Sequence, residues 1–367
     1  MELQFKEKRK MQIKSNLKTY EVLMEPTKAF MEKLIETENA EFVIDKNVYE
    51  IYSDLFRNIS SQRLIVIEAI ENNKILDTAL EICEKITEIP AKRNATLISI
   101  GGGIIQDITG FAANIIYRGI HWIFVPTTLL AACDSCIGGK TSLNYKKFKN
   151  LLGTFYPPNE IHICSQMFMS LTERDYKSGL GEVVKFNIMA GLKGLENMES
   201  YMDELLNRNP KTVNHFVKSS LDFKKKFIEV DEFDRGERIK LNFAHTFGHS
   251  IEVVTDYEIP HGTAVAIGMI MANRISEQRG YITQEIKKRC EAVLLKVIDI
   301  QVEYMERPFE EYMKAIRKDK KQVSRSLTSV LITSYGEESE LSIVHDTTEL
   351  EIQDAINYFI EQYKLRD

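Results

Sequence analysis

Four short apolar runs recur between residues 42 and 125: Phe42-Val-Ile44, Arg63-Leu-Ile-Val-Ile67, Ala95-Thr-Leu-Ile-Ser-Ile100 and Trp122-Ile-Phe-Val125. Stretches with helical periodicity, such as Thr78 to Ala91, lie between them. Short β-branched runs alternating with helices argue for a parallel sheet with crossover helices. The first part of the chain is therefore expected to be an α/β, Rossmann-like unit. After about residue 170 helical patterns dominate, at Asp203 to Leu206, Val213 to Ile228, Asn242 to Val254, Ala264 to Arg279 and Ile286 to Val297. Thr328 to Thr333 is the strand-like run of note there, and the end from Glu349 to Asp367 reads as an amphipathic helix. The expected domains are residues 1–170, α/β, and 171–367, mainly α-helical.

A chain of 367 residues is long enough for two such units. Its net charge of −6 argues against nucleic-acid binding, which shows as a basic domain or stripe, so any anion site must be local. Five cysteines are an odd number, and no apolar run follows the basic start Met1 to Lys14. Both points favour a cytoplasmic protein with free thiols. No apolar run reaches the roughly 18 residues that span a membrane. Cys133-Asp-Ser-Cys136 has redox-pair spacing, but no second pair or thioredoxin-like context accompanies it.

The densest chemistry lies in Arg238-Ile-Lys-Leu-Asn242-Phe-Ala-His245-Thr-Phe-Gly-His249 and Pro260-His261-Gly262. On one continuous helix at about 100° per residue, Arg238, Asn242, His245 and His249 share an arc of roughly 60°. A cation, an amide and two imidazoles on one face suit a site better than a packed core. His261 opens the apolar run Ala264 to Ala272, so two helices meeting there can present imidazoles to one ion. A catalytic zinc-type site needs three protein ligands, often histidines with one carboxylate. Glu182, in the apolar segment Ser178-Gly-Leu-Gly-Glu182-Val-Val-Lys185, is the best carboxylate, with Lys185 on the same helical face.

Gly101-Gly102-Gly103-Ile-Ile-Gln106-Asp107 follows a predicted strand and opens a helix, where backbone N–H groups and the helix dipole can hold a pyrophosphate. Its spacing departs from the G-x-G-x-x-G fingerprint, and three glycines also occur wherever a helix packs closely on a sheet. Val125-Pro-Thr127-Thr128 places hydroxyls at the end of another strand, as ribose or phosphate contacts or as a capped turn. Gly138-Gly139-Lys140-Thr141 invites a P-loop reading, but Asp134 stands where that motif needs glycine, which excludes an ATPase on this motif.

Taken in order, these blocks resemble the 3-dehydroquinate synthase family of sugar phosphate cyclases over roughly residues 40 to 335. They are Gly101 to Asp107, Tyr117-Arg118-Gly119, Val125 to Leu130, Asp134 to Thr141, Lys149-Asn150, Gly179 to Lys185, Lys224, Asp231-Glu232, Arg238 to His249 and His261-Gly262. The resemblance implies an N-terminal NAD-binding α/β domain, a C-terminal helical metal domain, a site in the cleft between them, and a homodimer. It implies cyclisation of 3-deoxy-arabino-heptulosonate 7-phosphate to 3-dehydroquinate in the shikimate pathway of aromatic amino acid biosynthesis. Phosphate is lost, and NAD is used and regenerated.

By the same resemblance Glu182, His245 and His261 would hold Zn2+ or Co2+. Lys224 and Arg238 would hold the substrate carboxylate. Lys140, Asn242, His249 and Lys320 would hold the phosphate, with Arg118 reaching in from a partner subunit. Asp134, Lys149, Asn150 and Lys185 would face the ring hydroxyls or the nicotinamide. NAD contacts would come from Asp45, Asn47, Glu71, Lys74, Gly102, Gly103, Asp107, Thr127, Thr128, Lys140, Lys149, Ser170 and Leu171. The chain departs from the family pattern at Ala69-Ile70, before the acid of the E-x-x-K element, and at Gln106, where glycine is usual. Alternatives are a cyclase of secondary metabolism, best the aminodehydroquinate type because Arg238, Lys224 and Asn242 suit an acid substrate, or a metal-dependent NAD alcohol dehydrogenase of the same fold. A catalytically inactive paralogue is a further alternative, which the intact metal ligands disfavour.

Overall fold

A computed structural model describes residues 10–89, 92–146, 148–318 and 327–366. The chain divides into two compact units, Met1–Leu171 and Thr172–Asp367.

The strands of the first unit are β1 (Lys10–Ile13), β2 (Tyr20–Met24), β3 (Ala40–Asp45), β4 (Leu64–Ile67), β5 (Thr96–Gly101), β6 (His121–Pro126), β7 (Lys140–Tyr145), β8 (Phe148–Phe155) and β9 (Glu160–Ile163). Seven form one sheet in the order β1-β2-β9-β6-β5-β3-β4, parallel throughout except for β1 against β2. The four predicted runs are β3 to β6. β3 and β5 are buried along their whole length, which is why their sequences carry no polar alternation. From the β3–β5 pair the sheet grows in both directions, so the strand order reverses there, and the carboxyl ends flanking that switch point are where open α/β sheets bind ligands. Asp45 and Gly101 end those two strands.

Among the described residues, five α-helices accompany this sheet: α1 (Phe30–Ile35), α2 (Lys46–Ile51), α3 (Ser53–Phe56), α4 (Leu76–Glu88) and α5 (Gly103–Ile115). β7 and β8 stand apart as an antiparallel hairpin.

The second unit contains α6 (Glu173–Met189), α7 (Leu192–Leu206), α8 (Pro210–Val230), α9 (His245–Val254), α10 (His261–Gln278), α11 (Gln284–Val297), α12 (Phe309–Lys318) and α13 (Glu349–Lys364). An antiparallel hairpin, β10 (Leu327–Tyr335) and β11 (Ser339–Thr347), joins them, and β11 had no counterpart among the predicted strands. Helix starts follow local chemistry: Thr172, Asn209 and Thr283 accept N-terminal N–H groups, and Thr348 with Glu351 closes a capping box. α10 is apolar on nearly every side because α6, α9, α11 and α13 surround it.

Two glycines set the crossing of α6 and α10. A Cβ on Gly181 would lie 2.1 Å from the Gly262 carbonyl oxygen, and one on Gly262 would lie 1.8 Å from that of Ser178. The two backbones touch, and each glycine adjoins a predicted metal ligand: Glu182 follows Gly181, and His261 precedes Gly262.

One local expectation fails. Arg238 to His249 is not one helix: Glu237–Asn242 forms a 3-10 segment, Phe243 is extended, and Ala244 is left-handed at φ 68° before α9 begins. The close approach of α10 explains the break, since Gly268 lies so near that a Cβ there would fall 2.6 Å from the Ala244 carbonyl oxygen. Arg238 and Asn242 therefore do not share a helix face with His245 and His249.

Candidate active site

In the second unit, Glu182 of α6, His245 of α9 and His261 of α10 converge. Glu182 Oε1 lies 3.6 Å from His245 Nε2 and 3.5 Å from His261 Nε2. A tetrahedral ion with ligand bonds of about 2.0–2.2 Å has ligand–ligand edges of roughly 3.3–3.6 Å, so both spacings from the carboxylate match edges of such a site. Both rings are turned for ligation. His245 Nδ1 pairs with the Phe243 carbonyl at 3.0 Å and must donate to it, leaving Nε2 with its lone pair. His261 Nδ1 pairs with Glu252 Oε2 at 3.0 Å, the carboxylate–histidine arrangement that fixes a metal ligand's tautomer. The sequence reading did not single out Glu252, although it lies one turn beyond His249 on α9.

Glu182 is fully buried, and Lys185 Nζ stands 2.5 Å from its other oxygen, as the i,i+3 spacing predicted. A buried carboxylate costs several kcal/mol unless compensated, and a divalent ion beside it compensates best. His249 joins the cluster, its ring centroid 5.4 Å from that of His245 and 5.9 Å from that of His261. His249, Glu252 and His261 also fall within ligand range of one another, but there Glu252 is already hydrogen-bonded to His261 Nδ1. The Glu182 set is the better metal site. At His261, burial opposes the charge, but Glu252 and then Glu182 outweigh it and push the imidazole up to about 10.

Lys185, Lys224 of α8 and Arg238 are also buried in this unit. The Arg238 guanidinium donates to the Glu232 carbonyl. The Asp231 carboxylate accepts the backbone N–H groups of Arg235, Gly236 and Arg238, which shapes the loop delivering the arginine. Burial opposes the Asp231 charge, yet those N–H groups prevail and hold its carboxyl below the usual range. Asn242 is half-buried at the end of the 3-10 segment. Lys320 lies outside the described residues.

In the first unit, α5 starts at Gly103 directly after β5, with Gly102 at its N-cap. A Cβ on Gly103 would meet only Ser135 Oγ, at 3.8 Å, so the helix N-terminus is open to a phosphate, whereas Gly102 packs on Thr128. The Thr127 hydroxyl is buried without a hydrogen-bond partner, and Thr128 Oγ1 accepts the Ala131 N–H at 3.2 Å. These features fit a dinucleotide pyrophosphate.

Lys74 Nζ lies 2.5 Å from Asp107 Oδ2 and 2.7 Å from Asn150 Oδ1. Burial pushes the Asp107 carboxyl up, against the pull of Lys74 and Ser142. Ser142 and Asn144, which the sequence reading missed, complete the cluster. Asn144 donates its N–H to the Lys74 carbonyl at 2.7 Å and its amide to Glu71 Oε2 at 2.6 Å, while accepting the Asn150 N–H at 2.9 Å. The E-x-x-K turn and the β7–β8 hairpin are thereby one construction. Lys149 Nζ lies 4.0 Å from Glu71 Oε1. Lys140 is exposed at the start of β7.

Asp45 caps α2 by accepting the Asn47 N–H at 2.9 Å, and Asn47 is exposed. The Tyr52 hydroxyl donates to Ser170 at 2.8 Å, and half-buried Leu171 follows. Asp134 sits in a π-turn, Ala131–Ser135, closed by the Cys136 N–H to the Ala131 carbonyl. Cys133 and Cys136 are buried thiols that form no disulfide, which suits packing rather than redox exchange. Arg118 is exposed in a left-handed turn, Tyr117 to Gly119, with φ values of 50°, 66° and 112°.

The Rossmann-like unit with its open glycine turn and the helical unit with its Glu-His-His cluster fit the class of the sugar phosphate cyclases. A family model described as 3-dehydroquinate synthase N-terminal matches residues 64–178, and one described as 3-dehydroquinate synthase C-terminal matches residues 179–322. The chain belongs to the 3-dehydroquinate synthase family. It is 36% identical over 298 residues to the 3-dehydroquinate synthase of Clostridium tetani, covering 80% of each chain. Among solved structures it is similar to 2-epi-5-epi-valiolone synthase from Streptomyces hygroscopicus subsp. jinggangensis with NAD+ and Zn2+ bound, at 24% identity and TM-score 0.80, covering 94% of this chain and 97% of that one. A 2-deoxy-scyllo-inosose synthase complexed with carbaglucose-6-phosphate, NAD+ and Co2+ is similar at 22% identity and TM-score 0.80, covering 95% and 99%. Among the described residues, no helix is long and apolar enough to cross a membrane.

Proposed function

We infer that this protein is a carbon–oxygen lyase that cyclises 3-deoxy-arabino-heptulosonate 7-phosphate to 3-dehydroquinate with loss of phosphate, in the shikimate route to aromatic amino acids. The observation that carries this reading is the Glu182–His245–His261 triad in a unit that also buries Lys185, Lys224 and Arg238. The curated relatives are 3-dehydroquinate synthases, and buried cations suit a substrate bearing both a carboxylate and a phosphate.

Glu182, His245 and His261 hold the divalent ion, a ligand set that accepts zinc or cobalt. Gly102, Gly103, Thr127 and Thr128 cradle the NAD pyrophosphate, with Glu71, Lys74 and Asp107 among its further contacts. When bound, the ion polarises substrate hydroxyls and the dinucleotide accepts and returns a hydride. Arg238 grips the carboxylate, its guanidinium fork suited to bidentate pairing, with Lys224 beside it in role. Lys140, Asn242, His249 and Lys320 take the phosphate and steady it as it leaves. Asp134, Lys149, Asn150 and Lys185 face the ring hydroxyls and the nicotinamide end. Holding one flexible substrate through oxidation, elimination, reduction and ring closure is chiefly a positioning task, worth on the order of 7–11 kcal/mol in effective concentration.

The active unit is a homodimer in which the exposed Arg118 reaches the partner's substrate. The enzyme is cytoplasmic, in keeping with the absence of disulfides among the described residues.

The test is to incubate the purified protein with the heptulosonate phosphate, NAD and zinc or cobalt, following phosphate and carbocycle together. Equal release of phosphate and 3-dehydroquinate is expected, with no net NADH. Phosphate without dehydroquinate would point to another cyclase, and stoichiometric NADH to a dehydrogenase.

A further inference from the structure

Gln106 and Ser135 hold each other by two hydrogen bonds. The Gln106 amide Nε2 donates to the Ser135 carbonyl at 2.7 Å, and the Ser135 hydroxyl donates to Gln106 Oε1 at 2.6 Å. Gln106 is 2% exposed in the first turn of α5, so packing as well as bonding fixes its amide. Both ends of that amide are used, one as donor and one as acceptor, which neither a carboxylate nor a hydrocarbon of similar size reproduces.

Ser135 connects two functional elements. It ends the π-turn that carries Asp134, and its hydroxyl is the group that a Cβ on Gly103 would meet, at 3.8 Å. A π-turn is rarely stable by itself and recurs at functional sites, held by its surroundings. Here the outside tether is Gln106, rooted in the helix whose N-terminus forms the glycine-rich turn.

We propose that Gln106 is a positioning residue: by clasping Ser135 it fixes where Asp134 stands relative to the glycine-rich turn. The proposal rests on the reading of Asp134 as a group facing the substrate ring or nicotinamide. The clasp leaves the cradle itself, Gly102, Gly103 and Thr127, untouched, so its loss should show in turnover and not in dinucleotide affinity.

The experiment compares Gln106→Leu, Ser135→Ala, the double variant and Asp134→Ala as full-length enzyme with NAD and metal. It reads kcat and KM at saturating NAD, the NAD Kd by calorimetry, and Tm. Misplacement of a reacting group by about 1 Å can cost about a hundredfold, so Gln106→Leu is expected to lower kcat about ten- to a hundredfold. Ser135→Ala, which keeps one of the two bonds, should lower it less, and the double variant should match Gln106→Leu. NAD Kd should stay within about threefold of the parent throughout, since no cradle group changes. Unchanged kcat, additive losses, or losses confined to NAD Kd or Tm each overturn the clasp. If Gln106→Leu does not fold, Ser135→Ala alone decides, a drop in kcat at unchanged NAD Kd supporting it. An Asp134→Ala enzyme of full activity would instead overturn the reading of Asp134, whatever the clasp variants do.

Discussion

Gly262 and Ser178 touch through their backbones: a Cβ added to Gly262 would fall 1.8 Å from the Ser178 carbonyl oxygen. The contact holds α10 against α6, one residue from His261 on one side and within one helical turn of Glu182 on the other. Gly262→Ala must therefore push the helices apart. Overpacking costs about 1–3 kcal/mol where side chains can yield, and backbone yields less, so a loss of about 3 kcal/mol or more is expected. A lower Tm together with lower metal content in the purified variant checks this. Full metal occupancy at unchanged Tm would contradict it.

Glu252 Oε2 pairs with His261 Nδ1 at 3.0 Å and so would orient that ring for an ion at Nε2. Glu252→Gln keeps the shape and removes the charge, so metal affinity should fall about 10–100-fold while Tm changes little. Competition with a chromophoric chelator reads the difference.

Metal binding should release a proton. The two carboxylates raise the His261 imidazole to about 10, so through the neutral range the ring holds a proton that an incoming ion must displace. Apparent affinity should then rise about tenfold per pH unit below that value and weaken as pH falls. A zinc titration in two buffers of different ionisation enthalpy counts the proton. An affinity flat from pH 6 to 8 would refute the assignment.

Asn144 ties the Glu71–Lys74 turn to the hairpin bearing Asn150. Asn144→Asp would set a second carboxylate against Glu71, so NAD Kd should rise about tenfold, the effect of losing a charge-assisted bond. Fluorescence or calorimetric titration with NAD measures it, and a second substitution, Glu71→Gln, should restore part of the loss only if the two residues meet as described.

Arg238→Ala should cost about 3 kcal/mol of transition-state stabilisation, a fall of about a hundredfold or more in kcat/KM for the acid substrate. Near-normal kinetics would remove Arg238 from the carboxylate site and weaken the choice of an acid substrate.

The central strands were legible because burial on both faces leaves no polar alternation to confuse, as in Phe42-Val-Ile44 and Leu97-Ile-Ser-Ile100. β1, β2 and β9 were not, because runs such as Lys10-Met-Gln-Ile13 and Glu160-Ile-His-Ile163 are short and half polar. The β7–β8 hairpin was missed for a related reason: β8 is exposed over much of its length, and what holds Asn150 is side-chain hydrogen bonding that periodicity cannot reveal. The candidate metal ligands were legible as residue types in an ordered pattern. Their convergence depends on backbone contact between α6 and α10, which only the glycines beside Glu182 and His261 hinted at. The helix read through Arg238 to His249 failed because a left-handed alanine costs about 1–2 kcal/mol and no local signal announces it; the packing of α10 sustains it.

That interruption at Ala244 makes Arg238 and Asn242 passengers of a loop rather than of the helix that carries His245 and His249. On the proposed roles, a mutation in the Asp231–Asn242 stretch would retune the grip on the carboxylate while His245 keeps its place on α9. With those roles, selectivity and metal chemistry would be separately adjustable, the condition under which one scaffold can be reworked for differently charged sugars without rebuilding its catalytic centre.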